Sequence, residues 1–109
     1  MKRYALTLDL KDDQALINEY EVLHQKVWPE ILESITASGI LKMEIYRVDT
    51  RLFMMMNTED GFSFEEKAKI DIENPKVQEW ESLMWKYQQK IPSAKPGEKW
   101  VLMNKIFEL

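Results

Sequence analysis

The chain predicts an α+β fold, with one antiparallel sheet carrying helices on one face. Three observations lead there. The apolar spacing changes along the chain from period two to about 3.6 residues and back, so strand-like and helix-like stretches alternate. Proline and glycine stand at the borders of these stretches rather than inside them. The resulting order of principal elements is β, α, β, β, α, β, which is the split βαβ arrangement of ferredoxin-like domains.

Taken in turn, residues 3–10 alternate, with Tyr4, Leu6, Leu8 and Leu10 on one face of a strand. Asp12 or Asp13 offers an N-cap for a helix whose apolar positions are Leu16, Tyr20, Leu23 and Val27. Trp28-Pro29 interrupts that helix, because proline disfavours α geometry in the residue before it and suits the first turn of a new one. The new helix runs through Ile31, Leu32 and Ile35 to Gly39, a natural C′ residue. Residues 40–48 and 52–58 form two strands joined by a tight turn at Asp49-Thr50-Arg51. A third helix covers about 62–73. A fourth starts at Asn74-Pro75 and extends to Lys90. Pro92, Pro96 and Gly97 make a loop, and a strand from about Lys99 to Leu109 closes the chain.

The strand Leu52-Phe53-Met54-Met55-Met56 is apolar on both faces. A sheet with one wet face alternates instead. Helices cover one side only, so the simplest cover for the other is the same sheet of a second copy in a two-fold homodimer. A greasy strand under a loop gives the same pattern.

Bulk composition narrows the function. A length of 109 residues fits one domain spanning 1–109. A net charge of −4 with scattered basic residues argues against nucleic acid and anionic membrane as partners. Cysteine is absent, which removes disulfides, thiolate zinc sites and a thiol nucleophile. No apolar run nears the roughly 18 residues of a membrane span, and the basic start lacks the continuous apolar stretch of a signal peptide. The expected location is the cytoplasm. One histidine rules out a multi-histidine metal site, and neither a glycine-rich phosphate loop nor a nucleophile elbow is present. No metal is expected.

The residues left to carry chemistry are few. Tyr20, His24 and Trp28 are spaced by four and share a face if the first helix reaches Trp28. Aromatic faces stack on the apolar side of a pyranose, and an imidazole exchanges protons near neutral pH. An amphipathic helix packing its aromatics into a core gives the same stripe, and spacing does not separate the two. Trp80 and Trp85 lie about 140° apart around the last helix. With Trp28 and Trp100 they suit carbohydrate stacking and equally suit a small core. Glu44 and Tyr46 alternate with Met43 and Ile45, which points them away from the helices, toward the floor of a pocket or toward ion pairs with Lys42, Arg47 or Lys105. The run Glu65-Glu66-Lys67 with Lys69 and Asp71 reads as a solvated helix face.

At Tyr20-x-x-x-His24-x-x-x-Trp28-Pro29-Glu30 the chain resembles the L-rhamnose mutarotase family, and the likeness runs its whole length. The stretches Met43-Glu44-Ile45-Tyr46-Arg47, Arg51-Leu52-Phe53-Met54, Asn74-Pro75-x-Val77-Gln78-Glu79-Trp80-Glu81 and Gly97-Glu98-Lys99-Trp100-Val101 look most like the family's L-fucose branch. The resemblance implies a dimeric α+β barrel of ferredoxin-like subunits, His24 as the proton-transferring residue, and sugar binding by Tyr20 and by an aromatic of the last helix, here Trp85. Met43 stands where the rhamnose enzymes carry a sugar-binding tyrosine, and Met84-Trp85 where they carry paired tryptophans. Both departures favour L-fucose over L-rhamnose. Mutarotation takes a proton from the anomeric hydroxyl and delivers one to the ring oxygen, so no cofactor is expected. Trp28 and Trp100 would complete the stacking walls beside Tyr46, with Glu44 as a second proton partner. Two other classes share this outline: a monooxygenase on the same dimeric barrel, and a sugar-binding dimer without catalysis.

Overall fold

The alternation of Tyr4, Leu6, Leu8 and Leu10 folds as a nine-residue strand, β1 (Lys2–Leu10), and everything else assembles around it. The computed structural model describes residues 1–109. After β1 come α1 (Gln14–Gln25), α2 (Pro29–Ala37), β2 (Ile40–Val48), β3 (Arg51–Thr58), α3 (Phe64–Ile72), α4 (Pro75–Trp85), β4 (Gln88–Gln89) and β5 (Val101–Leu102). All strand pairs are antiparallel, in the order β2-β3-β1-β4, with β5 also on β1.

The helix borders follow local chemistry. Asp13 caps α1 by accepting from the Leu16 amide at 3.1 Å, Ser63 caps α3, and Asn74 accepts from the Lys76 and Val77 amides ahead of Pro75. Gly39 ends the α2 segment at φ 96°. A side chain there would be strained, and its Cβ would meet the Glu59 carboxylate at 3.4 Å. Asp49 takes φ 50° in the β2–β3 turn, a conformation aspartate tolerates. No helix is long and apolar enough to cross a membrane.

Three borders differ from the sequence expectation. First, α1 stops at Gln25, because Lys26 leaves helical geometry (φ −147°) ahead of the Trp28-Pro29 constraint. Trp28 therefore sits at the N-cap of α2 and does not continue the Tyr20–His24 stripe. Second, α4 ends at Trp85 rather than Lys90. The Lys86 and Tyr87 amides reach back only three residues, to Leu83 and Met84, and tighten the last turn. Gln88 and Gln89 then pair with Leu10 and Asp9, since an open strand edge offers their backbone groups better partners than a frayed helix end. Third, the closing strand is brief. Val101 and Leu102 pair with Thr7 and Leu6, the Met103 amide donates to Ala5, and the chain then leaves β1. The edge strand expected from one segment is thus built from two, β4 and β5, end to end along β1.

The buried apolar residues of β1 and β3 share one face, Leu6, Leu8 and Leu10 with Leu52, Met54 and Met56, while Thr7 is buried on the other, its hydroxyl donating to the Leu52 carbonyl at 2.8 Å. Against the shared apolar face pack Ile17 and Tyr20 of α1, Ile31 of α2, and Val77, Trp80 and Met84 of α4. Ala5, Phe53 and Met55 lie on the opposite face, half-buried and outside both core clusters. The two-sided apolar character of β3 is therefore real. One side is the core and the other is an open sheet surface.

Candidate functional site

Between the helix-facing side of the sheet and helices α1, α2 and α4 lies a cavity of about 680 Å³. That is within the ordinary range for a small-molecule site. Its walls are mostly apolar: Met43, Met54, Met56, Ile31, Trp80 and Trp100 contribute. The polar residues that line it include Tyr20, His24, Glu81, Gln88, Lys99 and Lys67.

His24 lies one helical turn beyond Tyr20. Its Nδ1 is 2.8 Å from the Tyr20 carbonyl oxygen. A carbonyl only accepts, so Nδ1 carries the proton and Nε2 is left with a free lone pair. Burial pushes the imidazole pKa below its usual 6.5, and the Tyr20 carbonyl only partly opposes this. The ring is therefore neutral near pH 7. It rests on the Tyr20 ring at 4.2 Å between centroids and meets the edge of Trp80 at 5.7 Å.

Tyr20 is 3% exposed and its hydroxyl accepts from Gln88 Nε2 at 3.3 Å. Its pKa is pushed up to about 12, first by burial and further by the Glu81 charge, while the Gln88 bond acts the other way. The phenol therefore stays protonated, with its proton available to donate and no charge to act as a base. Each charged group that lines the cavity has an opposite partner: Lys99 pairs with Glu81, Lys67 with Asp71 and Lys42 with Glu44.

The cavity gathers three of the residues read from sequence: Tyr20, His24 and Trp100. The others lie elsewhere. Trp28 stacks edge-on behind Trp80 at 5.0 Å, with Lys76 over its ring, and backs the wall without lining it. Trp85 is 39% exposed and lies beneath Lys90 and Lys99, outside the cavity. Five residues along a helix turn a side chain about 140°, so Trp80 and Trp85 face different sides of α4. Glu44 is on the open sheet face, accepting from the Tyr46 hydroxyl at 2.8 Å and facing Lys42 at 3.8 Å, which is the ion-pair alternative. Tyr46 is exposed and borders a shallow depression at the sheet edge, which His24 and Arg47 share.

Residues that the sequence did not single out as site residues are also present, and for Trp80 the structure decides between the stacking and core alternatives left open. Trp80 is the aromatic of α4 that faces the cavity. The spacing of Val77, Trp80 and Met84 marks the inward stripe of that helix and could have identified it. Lys67, read as solvated, reaches the cavity and pairs with Asp71 at 2.5 Å. Gln88 and Lys99 carried no local signal.

A neutral imidazole with a free nitrogen, a protonated phenol and aromatic walls suit proton exchange on an uncharged, partly apolar small molecule. The comparisons with known proteins agree with that chemistry. A profile of the family described as L-rhamnose mutarotase matches residues 3–109. An L-fucose mutarotase of Xanthomonas campestris is 42% identical, with 100% of this chain and 89% of the relative covered. An L-rhamnose mutarotase of Phocaeicola vulgatus is 31% identical over 88% of this chain and 85% of its own. The crystal structure of L-rhamnose mutarotase from Formosa agariphila superposes with a TM-score of 0.74 at 18% identity, covering 100% of this chain and 99% of that one, and shares the fold.

Proposed function

The chain belongs to the L-rhamnose mutarotase family, and we propose that it interconverts the α and β anomers of L-fucose, with His24 as the acid/base. It is a sugar mutarotase, and so a carbohydrate isomerase. The observation that carries the proposed mechanism is the hydrogen bond from His24 Nδ1 to the Tyr20 carbonyl, which leaves Nε2 basic in a cavity of sugar size.

In this reading Nε2 takes the proton of the anomeric hydroxyl. The bond between C1 and the ring oxygen breaks, a C1 carbonyl forms, and the imidazolium returns its proton to the ring oxygen. Rotation about C1–C2 presents the other carbonyl face, and the reverse steps close the ring. Tyr20 donates a hydrogen bond to the sugar, Trp80 and Trp100 flank its apolar face, and the apolar lining limits water. No group outside the chain and the sugar takes part in these steps.

The preference for L-fucose rests on two supports. The relative at 42% identity is an L-fucose mutarotase, whereas the Phocaeicola L-rhamnose enzyme is at 31%. Met43, which departs from the rhamnose pattern, lines the cavity. The open sheet face with Phe53 and Met55, and the exposed Ile106 and Phe107 beyond β5, support assembly as a two-fold dimer.

The test is proton NMR saturation transfer between anomeric signals, with L-fucose and L-rhamnose side by side. Faster exchange with L-fucose is expected. Faster exchange with L-rhamnose would overturn the substrate, and acceleration of neither would overturn the activity.

A further inference from the structure

Gln88 is 3% exposed, and its side-chain Oε1 is the one buried side-chain oxygen or nitrogen in the chain with no hydrogen-bond partner. Buried polar atoms are nearly always paired, because leaving one unpaired forfeits the hydrogen bonds it made in water. Turning the amide over does not resolve this. Oε1 could then meet the Tyr20 hydroxyl, but an NH2 group with two protons would be stranded in its place. One end of the amide is unmatched either way, and Gln88 is among the residues that line the cavity holding His24.

Its placement is rigid. Gln88 pairs with Leu10 through β4, and the Lys11 amide donates to the adjacent Tyr87 carbonyl at 2.8 Å. Its NH2 donates to the Tyr20 hydroxyl at 3.3 Å. That bond uses a lone pair of the phenol and leaves the phenolic proton to donate elsewhere. Side by side, the two residues therefore present one acceptor and one donor. A vicinal pair of sugar hydroxyls offers the complementary set. The acceptor is uncharged, so it suits a hydroxyl and disfavours a phosphate or carboxylate, whose oxygens accept only.

We propose that Gln88 is a specificity-determining residue: its side-chain oxygen accepts from one ring hydroxyl of the bound sugar while its NH2 holds Tyr20 in the donating orientation. The proposal rests on the mutarotase reading and adds a hydroxyl-selecting subsite to it.

The test compares the wild-type protein with Gln88→Met, similar in length but apolar, by saturation transfer on L-fucose and its monodeoxy analogues. One hydrogen bond of ordinary strength corresponds to about fivefold in affinity. In the wild type, removal of one particular hydroxyl is expected to raise KM about fivefold. In Q88M, KM for L-fucose itself rises by about that factor, kcat changes less, and the same deoxy analogue brings no further loss, because the hydroxyl and the amide are partners. A Q88M protein with wild-type KM and unchanged discrimination among analogues overturns the proposal. Should Q88M not fold, the wild-type side-chain NH2 resonances of Gln88 decide: they shift on titration with L-fucose, and if they stay fixed at saturation the proposal falls. A wild-type protein that accelerates no sugar would bring down the mutarotase reading and this subsite together. An active wild type with an indifferent Q88M removes only the role of Gln88.

Discussion

Protonating His24 will stop the reaction, and the structure sets the side of neutrality on which this happens. An unperturbed imidazole of pKa about 6.5 is about three-quarters neutral at pH 7. Burial moves His24 below that value, so its neutral fraction at pH 7 is higher still. The pH profile of the enzymatic rate will therefore be flat near neutrality, bend below pH 6.5, and then fall about tenfold per pH unit. His24→Gln keeps an N–H able to reach the Tyr20 carbonyl but has no basic nitrogen. General acid–base catalysis contributes about 10²–10⁴-fold, so the variant will lose a comparable factor, equivalent to about 3–5 kcal/mol of barrier. The assay is saturation transfer between the anomeric protons of L-fucose across the pH range, corrected for spontaneous exchange. Stability follows the same titration. On acidification the unfolded chain takes up the His24 proton before the folded chain does. This group therefore weakens the fold as pH drops through 6.5 toward the lower folded-state pKa, and has no effect above that window. A rate still flat well below pH 6.5, or a folded H24Q with wild-type turnover, would refute the assignment.

The cavity wall and the open sheet face give two further expectations. Trp80 is 7% exposed and meets both His24 and Trp28, so Trp80→Ala will cost about 3–5 kcal/mol in urea unfolding and raise KM for the sugar; a loss well under 1 kcal/mol would show that the ring is not the keystone of that wall. Sedimentation equilibrium will give twice the 13.0 kDa chain mass, and Met55→Glu on the open face will halve it; a wild-type protein sedimenting at the single-chain mass would exclude the dimer.

The fold was legible where a segment's own pattern decides its structure. Period-two alternation marked β1, the Asp12-Asp13 pair and Asn74 marked helix starts, with Asp13 the cap in the structure, and Gly39 marked an end. It was illegible where a distant partner decides. Gln88-Gln89 continue a helical composition, and only the unpaired edge of Leu10 and Asp9 draws them into the sheet. The segment after Val101 has strand composition but little of β1 left to pair with. The site divides the same way. Tyr20 and His24 lie one turn apart on α1, so their juxtaposition could be read directly. Tyr20 and Gln88 are 68 residues apart, and no local pattern joins them. The choice between Trp80 and Trp85 was a question of helix phase. Val77 and Met84 mark Trp80 as part of the inward stripe, whereas the motif-level resemblance points to Trp85, which does not line this cavity.

The two-piece edge of β1 also bears on how the chain assembles. β1 lies against residues 51–58 on one side and against residues 88–89 and 101–102 on the other. Its ladder is complete only after loops of some forty to ninety residues have closed, and loop closure of that length is entropically costly before any contact compensates. The β2–β3 hairpin, closed by the Asp49-Thr50 turn, has no such requirement. It is the natural early structure, while the first strand made is among the last to be sealed. During synthesis, Leu6 and Thr7 thus remain without their second neighbour until Val101 and Leu102 have left the ribosome. The nascent chain passes through a stage in which the strand that carries Leu6, Leu8 and Leu10 is an open, apolar edge.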